Sequence, residues 1–259
     1  MVVRNPDKAL PLEERWGCKT YRTVTELVEA EGGAGSPTLQ FVVVCVPASA
    51  NAAILVELAA LGVPALSQTP AAQTVEDLEM LHEQLTMKGA KVQVAEQYLF
   101  QPMHQALLTV TASGKLGRVT HAQVAAAHGY HGISLLRHYL GVGSEGCKIR
   151  ATSFRAPLVV GPGRGLAMPA EETITQSEQT VAWLTFDCAD GTQKLGVFDW
   201  TQDIYRSYIR ATRLLVRGER GEIVDTTVRY VEDPATPVEY TCVAVIRPNS
   251  PRDCLPEPE

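Results

Sequence analysis

Two histidines near the start of one predicted helix are the side chains best suited to proton transfer. An imidazole can both accept and donate a proton, so His131 can act as a general acid or base. The alternative is a histidine at a helix start whose nitrogens are satisfied by backbone groups and water. His128 lies three residues before it, and at that spacing two imidazoles can bind one metal ion. With no acidic residue or further histidine nearby, the sequence disfavours a metal site.

Tyrosines are a second source of proton donors. Tyr130 and Tyr98 each carry a phenol that can contact a substrate hydroxyl. More often such tyrosines are half-buried packing residues with a hydrated hydroxyl. The sequence leaves both interpretations open.

The helix that carries His131 is predicted over residues 131–140. Apolar side chains recur at Ile133, Leu135, Leu136 and Leu140, and Gly141 is typical of a helix end. Every strand and helix before it must be arranged so that this helix start is accessible to a ligand.

Strand and helix signals alternate over residues 1–95, the pattern of a parallel sheet covered by helices. Residues 41–46 carry no polar side chain and predict a strand buried on both faces. Ser49 can cap a helix over residues 50–61, and a short strand over residues 63–66 leads to Gln68, Thr69 and Pro70.

The later part of the chain is rich in strands. Asp190-Gly191, between apolar runs at residues 181–187 and 194–200, is a strong hairpin signal. Runs of strands with few helices predict an antiparallel sheet, hence an α+β domain. We therefore predict an α/β domain over residues 1–95, an α+β domain over residues 96–247 and a disordered tail over residues 248–259, which holds four prolines.

Short segments spread along the chain resemble the motifs of one family. They are residues 3–9, 43–47, 68–70, 95–98, 114–117, 131–141 and 217–223. In this order they resemble the glucose-fructose oxidoreductase / inositol dehydrogenase / MocA (Gfo/Idh/MocA) family over roughly residues 3–230. The resemblance implies an incomplete doubly wound, Rossmann-like parallel sheet followed by an α+β domain with a large, mostly antiparallel sheet.

The same resemblance implies an activity and a set of site residues. The activity is NAD- or NADP-dependent oxidation or reduction of a sugar, a cyclitol or a related hydroxy compound. It places His131 and Tyr130 at the substrate and Thr69 at the position of the family's catalytic lysine. The implied cofactor residues are Arg4, Pro47, Gln68, Glu96 and Gln97. An arginine at Arg4 suits a ribose 2′-phosphate, which points to NADP.

Three departures from the family pattern put catalysis in doubt. Members usually begin with a strand and a Gly-x-Gly-x-x-Gly turn, and this chain starts after that unit, so we expect either a fragment or a protein that has given up nucleotide binding. Thr69 replaces a lysine, and its hydroxyl cannot ionise usefully near neutral pH. Ala127 replaces a common aspartate. The alternative function is therefore a catalytically inactive sugar-binding, regulatory or scaffold relative.

Composition limits the partners and the compartment. A formal net charge of −6 argues against wide nucleic-acid contact, which needs a concentrated basic surface. No apolar run approaches the roughly 20 residues of a membrane span. The chain has six cysteines and shows no signal-peptide pattern, which predicts reduced thiols in a cytoplasm. The resemblance also implies that the chain forms a homodimer, or a higher homo-oligomer, through the C-terminal sheet.

Overall fold

We describe the protein from a computed structural model. The structure describes residues 1–3, 5–143, 145–162, 171–205, 207 and 209–243. The expectations for Arg4 and for the tail 248–259 lie outside the described residues. The chain divides into two compact units, an N-terminal unit (Met1–Glu96) and a C-terminal unit (Gln97–Glu259), and each is described by itself.

The N-terminal unit is built on a three-stranded parallel sheet with the strand order β1-β2-β3. Its described elements are, in chain order, α1 (Pro6–Trp16), α2 (Val24–Ala30), β1 (Val42–Val44), α3 (Ala48–Ala60), β2 (Ala65–Ser67), α4 (Val75–Met87) and β3 (Val92–Val94).

Side-chain caps determine where two of these helices begin. Thr23 and Thr74 each accept the backbone N–H of the residue three positions later, which satisfies an amide that has no partner within the helix. The predicted cap of α3 was wrong. That helix begins directly after Pro47 without a side-chain cap, and Ser49 lies in its first turn. The carbonyl oxygen of Pro47 accepts the backbone N–H of Ala50 at 2.8 Å, so the first turn begins at Pro47 and not at Ser49.

The core of the N-terminal unit lies on one face of its sheet. Val44, Leu55 and Leu58 are buried there, so β1 packs against α3. The prediction that residues 41–46 are buried on both faces was wrong. Phe41 and Val43, on the opposite face, are 53% and 55% exposed. Strand alternation places neighbouring residues on opposite faces, and among the described residues only one of those faces is well covered.

The C-terminal unit is built on an eight-stranded sheet. Its described helices are α5 (Pro102–Ala112) and α6 (Gly129–Leu140), with short 3₁₀ turns at Tyr98–Phe100 and Gln202–Tyr205. Its strands are β4 (Val119–Ala125), β5 (Lys148–Val159), β6 (Ile174–Asp187), β7 (Gln193–Thr201), β8 (Arg213–Gly218), β9 (Gly221–Val224), β10 (Thr227–Asp233) and β11 (Thr236–Thr241).

The strand order is β11-β10-β9-β8-β4-β7-β6-β5, and every neighbouring pair is antiparallel except β4 and β7. The hairpin predicted at Asp190-Gly191 is confirmed, because β6 and β7 pair antiparallel across it. Gly191 has φ +79°, which a residue without Cβ adopts at no steric cost. The predicted fold class, a parallel sheet followed by a large and mostly antiparallel one, is therefore confirmed.

Helix α6 covers one face of the large sheet and forms the centre of its core. Leu135, Leu136 and Tyr139 are fully buried against Phe186 and Phe198. Burying such side chains stabilises a fold by about 1.5–3 kcal/mol each. In the part of the chain that the structure describes, no helix is both long and apolar enough to cross a bilayer.

Candidate functional site

His131 lies in the first turn of α6, where β4 has just ended. Only 5% of the residue is exposed, whereas the preceding Tyr130 is 44% exposed. The next residue, Gly132, allows this helix start to pack tightly: a Cβ there would lie 2.4 Å from the carbonyl oxygen of Ala127 and 2.5 Å from the ring of Phe198. Close packing thus fixes the backbone that presents His131.

Six aromatic side chains of the C-terminal unit surround this helix start, and we call them the aromatic cluster. They are Tyr98, His128, Tyr130, His131, Trp200 and Tyr205. The ring of His131 lies 4.4 Å from that of Tyr130, 4.9 Å from that of His128 and 5.1 Å from that of Tyr98, measured between centroids. The ring of His131, which the resemblance places at the substrate, therefore lies against the rings of the adjacent Tyr130 and of His128 and Tyr98.

Tyr205 contacts Tyr98, His128 and Trp200 of the aromatic cluster. Its hydroxyl forms a 2.7 Å hydrogen bond with the hydroxyl of Tyr98 and accepts the backbone N–H of His128 at 3.1 Å. Its ring packs edge-on against Trp200, with centroids 5.1 Å apart. The sequence analysis missed both Tyr205 and Trp200, since they are far from His131 along the chain and no local motif marks them.

A partly buried carboxylate holds the 3₁₀ turn that carries Tyr205. The carboxylate of Asp203 accepts hydrogen bonds from the hydroxyls of Ser177 and Thr201, the latter at 3.1 Å. These two residues belong to β6 and β7, so the turn is attached to the sheet at two strands. The position of Tyr205 is therefore set by the large sheet.

The aromatic cluster suits a ligand that has both C–H faces and hydroxyl groups. Aromatic side chains supply apolar area, while phenol and imidazole groups form directed hydrogen bonds at the edge. His131 adds a group able to exchange a proton. No set of three His, Cys, Asp or Glu residues within the described ranges is placed to hold a metal ion.

Four of the predicted site residues, three for the cofactor and Thr69 for catalysis, lie at one edge of the sheet in the N-terminal unit. Pro47 follows β1, Gln68 and Thr69 follow β2, and Glu96 follows β3. Because the three strands are parallel, their carboxyl ends meet at the same edge, where sheets of this kind bind ligands. Gln97 begins the C-terminal unit.

Asn51, which the sequence analysis missed, holds the loop of Gln68 and Thr69. The side chain is 1% exposed, and its amide nitrogen lies 2.9 Å from the carbonyl oxygen of Gln68 and 2.8 Å from that of Pro70. The hydroxyl of Ser67 lies 3.2 Å from its amide oxygen and can donate to it. Asn51 thus uses both N–H donors and its acceptor to attach this loop to α3.

We expect Asn51→Asp to lower the free energy of unfolding by about 3 kcal/mol at neutral pH. The change keeps the shape but replaces two N–H donors with an acceptor that faces two carbonyl oxygens. Urea denaturation of the purified chain measures the effect. Gln84→Glu makes the same chemical change on the exposed face of α4 and should leave stability nearly unaltered. Equal midpoints for the two variants would show that Asn51 does not hold the loop.

Known proteins provide a comparison for this geometry. A search against protein-family models found no match, and a search against curated proteins found none either. Solved structures do match: an oxidoreductase from Agrobacterium radiobacter, determined with NAD⁺, L-tartaric acid and magnesium, aligns with a TM-score of 0.67 and 16% identity over 96% of this chain and 73% of its own.

Two further structures give the same result. A levoglucosan dehydrogenase in complex with NADH and levoglucosan aligns with a TM-score of 0.66 and 16% identity over 94% of this chain and 70% of its own. An NAD-binding oxidoreductase from Klebsiella pneumoniae aligns with a TM-score of 0.65 and 15% identity over 93% of this chain and 69% of its own. The chain therefore has the fold of NAD-binding oxidoreductases. That fold is the two-domain Gfo/Idh/MocA type, which confirms the fold that the resemblance implied.

Proposed function

We propose that the chain is a member of the Gfo/Idh/MocA oxidoreductases and uses NAD(H) or NADP(H) to interconvert a hydroxyl and a carbonyl group on a sugar, a cyclitol or a related hydroxy compound. One observation carries this proposal. Nearly the whole chain aligns with oxidoreductases solved with NAD⁺ or NADH, one of which also holds levoglucosan. The aromatic cluster supports it, because it offers the surface that a polyhydroxylated ring requires.

The strand ends of the N-terminal unit fit the nicotinamide half of the cofactor. The side chain of Gln68 is exposed at the carboxyl edge of the sheet, where its amide can pair with a carboxamide. Pro47 and Glu96 lie at the same edge, and Gln97 follows in sequence. Arg4, proposed for a 2′-phosphate, lies outside the described residues. When bound, the nicotinamide would accept a hydride from the carbon that bears the hydroxyl, or return one.

The protein has to move the proton that accompanies this hydride. On oxidation the hydroxyl loses its proton to a base as the carbonyl forms, and on reduction the same group returns it. His131 has a side chain that can hold this proton, and Tyr130 can orient the hydroxyl by a hydrogen bond. Thr69, at the lysine position, can only donate or accept a hydrogen bond, so in this proposal His131 is the acid and base.

A second candidate is a sugar-binding or regulatory relative without catalysis. Thr69 and Ala127 favour this candidate, because neither side chain can exchange a proton as the lysine and aspartate of the family can. Ala127 is fully buried against the start of α6, so a larger polar side chain would not fit without displacing this backbone. Both candidates keep the aromatic cluster as the ligand surface.

Cofactor titration separates the two. We expect the folded chain to enhance the fluorescence of NADH or NADPH on binding, and Gln68→Leu to weaken that binding about tenfold by removing an amide partner. Gln84→Leu, an equal change on the exposed face of α4, should leave it unaltered. If the folded chain binds neither cofactor, the oxidoreductase proposal fails and the binding protein remains.

The face of the large sheet opposite α6 is the proposed contact between copies of the chain. Strand register places Trp183, Val197, Gln123, Leu215 and Val224 in one row across it. Trp183 is 42% exposed, and its row neighbours Val197 and Leu215 are only half buried, so the row presents contiguous apolar surface. We expect a homodimer by light scattering, and a monomer for Trp183→Glu. The exposed Trp16→Glu on α1 is the control, and a dimer that survives in Trp183→Glu would refute this contact.

A further inference from the structure

The C-terminal unit contains a cavity beside the aromatic cluster, with which it shares Tyr98 and Tyr205. It has a volume of about 360 Å³, within the size range of small-molecule sites. Leu107 and Leu214, both buried, form an apolar floor. His104, Arg213 and Asp225 supply polar groups, and the cavity is also lined by Tyr98 and Tyr205, whose hydroxyls are hydrogen-bonded to each other.

The hydrogen bond between His104 and Tyr139 determines which proton His104 presents. Nδ1 of His104 lies 2.9 Å from the hydroxyl of Tyr139, a residue with no exposed surface. This is the one acceptor within reach of that hydroxyl among the described residues, and a buried O–H without an acceptor is costly. The phenol therefore donates to Nδ1, and burial, which raises the pKa of Tyr139, keeps the phenol protonated.

His104 then carries its own proton on Nε2. Burial lowers the pKa of His104, so the imidazole is neutral near pH 7 and holds a single ring proton. Nε2 bonds to no described residue, and no buried side-chain nitrogen in the described ranges lacks a partner. Nε2 is therefore accessible to solvent, and His104 is one of the residues that line the cavity. The cavity wall thus contains a neutral N–H donor.

Opposite charges complete the lining. Asp225 uses Oδ1 to accept the backbone N–H of Leu214 at 3.0 Å, which leaves Oδ2 to accept from a ligand. Arg213 is exposed and forms no ion pair with a described residue, so its guanidinium can donate. One cation and one anion give the cavity no net charge. Such a lining disfavours a small anion and provides both donors and an acceptor.

We propose that this cavity is a second binding site, which takes an uncharged polyol of the size of a monosaccharide or a cyclitol. The C–H face of the ring would lie on Leu107 and Leu214. Its hydroxyls would accept from His104 Nε2 and Arg213 and donate to Asp225. Binding there needs no nicotinamide cofactor, so the site is independent of the proposed oxidoreductase function.

Calorimetric titration of the full chain, without cofactor, tests the site. The probes are D-glucose and myo-inositol as uncharged polyols and D-glucuronate as an anion that keeps the ring of glucose. We expect at least one polyol to bind. Asp225→Asn and Arg213→Gln should each weaken that binding about tenfold, the usual effect of losing a hydrogen bond to a charged group. Arg210→Gln, which does not line the cavity, should leave it unaltered.

Asp225→Asn is suited to this test because it preserves the backbone. Asp225 has φ +53°, a conformation that asparagine also tolerates, and the asparagine oxygen can still accept from Leu214. Three results would overturn the proposal: no binding by either polyol, unchanged polyol affinity in both cavity variants, or glucuronate affinity that exceeds polyol affinity. Cofactor binding by Asp225→Asn should equal that of the unaltered chain, which keeps this test separate from the cofactor titration.

Discussion

Gly132→Ala should lower the free energy of unfolding of the C-terminal unit by about 3 kcal/mol and disturb the aromatic cluster. The added Cβ would lie 2.4 Å from the backbone oxygen of Ala127 and 2.5 Å from the ring of Phe198. The backbone oxygen cannot rotate away, and the ring is held in the core. The start of α6 must therefore shift, and His131 is the adjacent residue.

Two measurements check this expectation. Urea denaturation gives the loss of stability, and near-ultraviolet circular dichroism reports the packing of the rings around His131. Gly146→Ala is the matched control, because a Cβ there would meet no atom within 4 Å. If Gly132→Ala is as stable as Gly146→Ala, the close approach between α6 and the large sheet is not as the structure has it.

The second large effect concerns turnover. In the proposed oxidoreductase, His131→Ala should reduce kcat with the preferred substrate by about 10²–10⁴, the usual contribution of a general acid or base. The effect should appear in kcat more than in KM, since the proton moves in the transition state. Steady-state assay of nicotinamide absorbance measures it.

His138→Ala is the control, because His138 is exposed on the same helix and bonds only to the backbone oxygen of Ser134 among the described contacts. It should retain full turnover. Thr69→Lys restores the family residue, and it should not be required for activity if His131 has taken over the role. Turnover retained by His131→Ala, or turnover that appears only in Thr69→Lys, would reject His131 as the acid and base.

Local patterns in the sequence were enough to predict the element types. The alternation of strands and helices over residues 1–95 and the Asp190-Gly191 hairpin each depend on neighbours in the chain, and the structure confirms the fold class that they indicate. The cap at Thr74 is equally local, since it involves an amide three residues away.

Local patterns gave a wrong prediction where burial depends on residues that are distant in the chain. An apolar run predicted that residues 41–46 are buried on both faces, yet Phe41 and Val43 are exposed, because burial depends on which elements cover each face. The cap of α3 was misplaced for a local reason, since Pro47 allowed the helix to begin without Ser49 as its cap.

The sequence by itself determined the two sheets and singled out His131 and Tyr130 on a helix start, since periodicity and turn chemistry act over a few residues. Only the tertiary structure decided what surrounds that helix start. Tyr98, Trp200 and Tyr205 lie far from His131 along the chain, and Asn51 on α3 reaches the carbonyl oxygen of Gln68 after β2. Such contacts are set by strand order and packing, which no spacing along the chain encodes.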